Sequence, residues 1–75
     1  MTTLADMNAG ETAVVTKVGA TGELKQRLFS LGLHKGSEVK VKTISMAKST
    51  IEIEIGSTLM ALRYEEAKSI MVAQA

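Results

Sequence analysis

Apolar positions along this chain change their spacing at a few glycines, and each change marks an element. Asn8-Ala9-Gly10 is turn chemistry, and the β-branched residues of ETAVVTKV after it predict a strand over Thr12 to Val18. From Glu23 the apolar period lengthens: Leu24, Leu28 and Leu31 fall at i, i+4 and i+7, which predicts a short amphipathic helix with an acid in its first turn. Gly32 is placed to stop it. As the C′ residue in the left-handed conformation it makes Leu33 the C″ residue and Leu28 the C3 residue, the apolar pair of a Schellman ending.

After Gly36 the period is two. EVKVKTI puts Val39 and Val41 on one face, and TIEIEI puts Ile51, Ile53 and Ile55 opposite Glu52 and Glu54. TLMAL follows Gly56-Ser57 closely enough to predict a hairpin with Gly56 in the turn, although its own inward parity reads either way. Met46 to Ser49 reads as a slightly longer loop. Glu65 and Glu66 open a short helical turn, and Ile70 to Val72 can return as a last strand. Five short strands, one helix and tight turns predict a mainly β fold, a small SH3-like barrel, because closure hides edges that so short a chain cannot otherwise cover. The 75 residues are read as one domain, 1–75, burying roughly 60 to 65% of the unfolded surface.

Composition removes several functions. There is no cysteine, so disulfides, thiolate metal sites and thiol nucleophiles are excluded together. A net charge of +1, with both signs mixed along the chain, offers no basic stripe for phosphates, and only Phe29 and Tyr64 could stack on a base, so nucleic acid is not the expected partner. The longest apolar runs, such as Leu59 to Leu62, fall far short of the roughly 20 residues that span a bilayer, and MTTLADMNAG lacks the pattern of a leader. A soluble, intracellular protein is expected.

Three stretches invite a chemical reading. Gly19 to Lys25, GATGELK, is a glycine-bearing loop between strand and helix, but a P-loop needs four residues between its glycines and then Lys-Ser/Thr, whereas this loop has two and continues with Glu23. A plain turn is expected. His34 is the one histidine; with Glu38 nearby in sequence it makes a poor metal site, so no metal and no cofactor are expected. Ser30 and His34 are close in sequence, yet nucleophilic catalysis also needs a third orienting group and an oxyanion hole, so no enzyme is expected. Phe29 differs from these. It lies about 140° from Leu24 around the helix, on the flank of the leucine stripe beside Lys25 and Gln26, and these three residues form the candidate partner-binding surface.

The order and spacing of Arg27-Leu28, Leu31-Gly32-Leu33, Gly36 before the Val39 and Val41 strand, and Ala61-Leu62-Arg63 followed by Glu66-Ala67 and Ile70 resemble the FeoA family, from about Leu4 to Val72. The resemblance implies an SH3-like accessory protein of bacterial ferrous iron uptake. Its implied partner is FeoB, a membrane transporter with a cytosolic GTP-binding domain, and its implied place is the cytoplasm or the inner membrane's surface through that partner. The same barrel occurs in metal-dependent repressors of the DtxR type, so a stand-alone regulator domain is the alternative. The sequence leaves the oligomeric state open.

Overall fold

The computed structural model describes residues 2–45, 47 and 49–74. It contains β1 (Thr2–Thr3), a 3-10 turn (Leu4–Asp6), β2 (Thr12–Val18), α1 (Gly22–Ser30), β3 (Glu38–Ile44), β4 (Thr50–Ile55), β5 (Thr58–Arg63), α2 (Tyr64–Ala67) and β6 (Ile70–Gln74). All strand pairs are antiparallel, in the order β1-β6-β2-β3-β4-β5. The register slips between Val15 and Lys17 against β6, and between Val41 and Thr43 against β4. Such irregularities bend and twist their strands, which curls the sheet around one core.

That core is filled as the alternating pattern requires. Val39, Val41, Ile51 and Ile53 are wholly buried, and Leu62 and Ile70 join them from β5 and β6. The Gly56-Ser57 hairpin pairs Ile55 with Thr58, so Ile53 faces Met60 and Ile51 faces Leu62. This settles the parity of TLMAL: Met60 and Leu62 point in, whereas Leu59 and Ala61 point out.

Two features depart from the sequence reading. The N-terminus forms β1 and then a 3-10 turn, where Ala5 N–H donates to Thr3 Oγ1 at 3.2 Å and Thr3 N–H to Asp6 Oδ2 at 3.0 Å, a reciprocal cap that sends Leu4 fully into the core. The sheet also stays open, because no ladder joins β5 to β1 among the described residues. The 3-10 turn and α2 pack together across that side, so the core is covered by side chains rather than by a continuous ring of backbone bonds. The loop expected over Met46 to Ser49 lies partly outside the described residues.

The helix-to-strand corner combines local bonds with two to β2. Leu33 N–H donates to Leu28 C=O at 2.9 Å and Gly32 N–H to Phe29 C=O at 3.0 Å, the two bonds of a Schellman ending, with Gly32 at φ 92°. Leu28 and Leu33 are both wholly buried. Downstream, Ser37 Oγ accepts from His34 N–H and donates to Gly32 C=O, while Gly36 N–H donates to Val15 C=O at 2.7 Å and Val15 N–H to Ser37 C=O at 2.8 Å. The corner is thereby stapled to β2.

Candidate functional site

Helix α1 divides its faces sharply. Leu28 is buried, Leu24 and Leu31 are partly buried against the core, and Lys25, Gln26 and Phe29 are exposed on the other side. Phe29 is 48% exposed, and Lys25 Nζ lies 5.6 Å from its ring centroid, a spacing at which an exposed ammonium and a ring attract by about 0.5 to 1 kcal/mol. The i, i+4 spacing of Lys25 and Phe29 is what lets them meet. The three residues singled out in the sequence therefore share one exposed helix face.

That face is fixed to the body at its far side. Arg27 Nη2 sits 3.6 Å from Glu66 Oε1, and the same oxygen accepts from Arg63 N–H at 2.8 Å at the start of α2. One carboxylate thus caps α2 and anchors α1. Exposed ion pairs contribute about 0.2 to 1 kcal/mol, and a cap about 1 kcal/mol. Glu66→Ala should accordingly destabilise by about 1 to 2 kcal/mol and Arg27→Ala by less; thermal melts that reverse this order would contradict the shared-carboxylate account.

Ser30 and His34 each have a partner other than the other. The Ser30 hydroxyl donates to Gln26 C=O at 2.9 Å, and the exposed His34 places Nδ1 3.0 Å from Lys35 C=O, so each is engaged with nearby backbone rather than with the other. Among the described residues no three His, Cys, Asp or Glu side chains gather as metal ligands would. His34→Ala is expected to change stability by less than about 0.5 kcal/mol, as for a plain surface substitution. Ferrous iron titrated into the protein is expected to find no tight stoichiometric site; micromolar binding lost in that variant would make His34 a ligand. Gly19 explains itself differently from a phosphate loop: its N–H donates to Ser69 C=O at 2.7 Å, and a Cβ there would lie 3.0 Å from the same oxygen. The glycine allows the chain to pass β6 closely.

One exposed apolar residue escaped the sequence reading. Leu59, 55% exposed on the outer face of β5, is with Phe29 one of two large apolar side chains left in solvent among the described residues. The two-residue hairpin would have revealed it, since pairing Ile55 with Thr58 forces Leu59 outward. Among the surface grooves are one lined by residues that include Thr12, Ser37, Lys40 and Glu54 and another lined by Ser49, Thr50, Arg63, Tyr64, Glu65 and Lys68. Both mix acids with bases and are wide open to solvent.

Comparison with known proteins agrees with this architecture. A model of the FeoA domain matches residues 2–74. A Campylobacter jejuni protein named for Fe(2+) transport protein A is 36% identical over 70 residues, covering 93% of this chain and 95% of that protein. The solution structure of a FeoA protein from Chlorobium tepidum superposes with a TM-score of 0.92 at 33% identity, over 97% of this chain and 70% of that one. The crystal structure of Stenotrophomonas maltophilia FeoA complexed with zinc, described as an SH3 domain protein, superposes with a TM-score of 0.84 at 31% identity, over 97% of this chain and 91% of that one. A manganese-dependent transcriptional repressor shares the fold at 21% identity, a likeness of fold alone. With nearly its whole length matched, and with the fold shared with solved FeoA structures, the chain belongs to the FeoA family of Fe(2+) transport proteins.

Proposed function

We propose that this protein is a non-enzymatic, cytoplasmic accessory of ferrous iron uptake that acts by contact with the cytosolic region of a FeoB-type transporter. No helix among the described residues is long and apolar enough to cross a membrane, so a part in transport is most simply exerted through a partner that does cross it. The S. maltophilia relative is itself proposed to act as a ferrous iron transport activating factor, which supports the same kind of role here. The observation that carries the reading is the exposed Phe29 on a helix whose opposite face is locked into the core. An aromatic side chain ringed by polar groups has the composition of an interface anchor. The docking surface in this reading is Phe29 with Lys25 and Gln26.

Calorimetric titration against the transporter's isolated GTP-binding domain, loaded with GDP or a GTP analogue, tests it. Saturable binding in at least one nucleotide state is expected. The absence of heat and of any chemical-shift change in both states would contradict it. The regulator reading rests on fold likeness alone, and nothing on the α1 face favours it.

A further inference from the structure

We infer that α1 of one copy of this chain seats on the outer face of the β4–β5 hairpin of another, with Phe29 in a notch over Ala61. Phe29 and Leu59 are the two large apolar side chains left in solvent among the described residues, one on α1 and the other on the outside of the sheet. Their surroundings are complementary.

Leu59, Ala61 and Arg63 alternate with the inward Met60 and Leu62, so they stand in one exposed row on the outside of β5. Leu59 and Arg63 are about 13 Å apart along the strand, and the small Ala61 leaves the space between them low. One wall of this notch is apolar, and the other is a guanidinium, which stacks readily on an aromatic face. On β4, Glu54 pairs with Leu59 and Glu52 with Ala61. Both carboxylates are partly buried, and among the described residues neither makes an ion pair.

Charge complementarity selects a second copy as the occupant. Phe29 carries Lys25 one helical turn away, about 6 Å along the axis, with Nζ 5.6 Å from the ring centroid. Side chains directly opposite in an antiparallel pair stand about 5 Å apart, so a ring seated over Ala61 brings that ammonium within reach of the carboxylates beside it. Lys40 pairs with Glu54 from the β3 side, which makes Glu52 the stronger partner. The helix face and the hairpin face differ, so one copy gives the ring and the next gives the notch. Such a contact falls below the roughly 1,200 Å² of stable complexes, so association is weak, with a dissociation constant toward millimolar. The inference does not rest on the transporter reading, although both contacts use Phe29 and so exclude one another.

NMR titration of two full-length variants against each other tests the inference, with thermal melts to confirm that each is folded. Phe29→Ala keeps the notch and loses the ring, whereas Leu59→Ala keeps the ring and loses a wall, so each alone should associate roughly tenfold more weakly than the unsubstituted chain. Mixed, they rebuild one whole contact. Labelled Phe29→Ala should then shift at Glu52, Leu59 and Ala61, and labelled Leu59→Ala at Lys25, Gln26 and Phe29. Adding Lys25→Glu to the Leu59→Ala chain should weaken the mixed contact about tenfold, and Glu52→Lys in its mate should restore it. Ala61→Leu, which fills the notch from outside the core, should abolish association. An unsubstituted chain with no concentration-dependent shifts up to millimolar overturns the inference, as does a mixture no tighter than either variant alone or indifference to Ala61→Leu. Leu59→Ala should leave affinity for the transporter's GTP-binding domain unchanged; a loss there would give the hairpin face to the transporter and equally overturn it.

Discussion

Gly32→Val should lower stability by about 1 to 2 kcal/mol, a fall of roughly 4 to 8 °C per kcal/mol in Tm for a domain of this size. The cause is backbone conformation rather than crowding. Gly32 sits at φ 92°, where a side chain is strained and a β-branched one most of all, whereas a Cβ built there meets Ile55 Cγ2 at an ordinary 3.9 Å. The residue cannot relax to negative φ without breaking the bonds from Gly32 and Leu33 N–H that end α1 and bring Leu33 into the core beside Leu28. A graded series follows, with Gly32→Asn costing least, Gly32→Ala more and Gly32→Val most, because asparagine tolerates the left-handed region best. Equal melting temperatures across the series would remove the Schellman ending as the reason for this glycine.

Phe29→Ala should weaken binding to the transporter's GTP-binding domain by about 1 to 3 kcal/mol, the range of an anchor truncation. Its cost to the isolated fold should be small. Phe29 is half exposed and belongs to no buried cluster, so the substitution leaves no cavity. It also removes the surface over which Lys25 rests, so Lys25→Ala should show a smaller loss at the same interface. Affinity and melting temperature measured on the same variant separate the outcomes. A collapse in stability would make Phe29 a core residue, and no change in either would put the docking surface elsewhere on the molecule.

Most of the fold was legible because its signals are local. The strand Thr12–Val18 was read to the residue, and the Schellman ending at Gly32 follows from four positions and one dihedral preference. The N-terminal 3-10 turn was not read, although Thr3 and Asp6 stand at capping-box spacing, and the two residues of strand before it carry no periodicity. The open β5 edge was not legible: whether a curled sheet closes depends on how far its bends carry the last strand, and that is a sum over the irregularities at Val15/Lys17 and Val41/Thr43. The Arg27 to Glu66 contact joins residues far apart in the chain through a carboxylate already engaged as a cap, which no pattern in either segment announces. The place of Phe29 on the flank of the leucine stripe, by contrast, followed from helix geometry, while its half-exposed ring is a finding of the structure.

The most direct test of the central claim is an NMR titration of the isotope-labelled chain with the transporter's cytosolic GTP-binding domain, in both nucleotide states. Shifts and broadening concentrated at Lys25, Gln26 and Phe29, absent in Phe29→Ala, are the predicted result. Perturbations that leave α1 untouched, or no perturbation in either state, would contradict it.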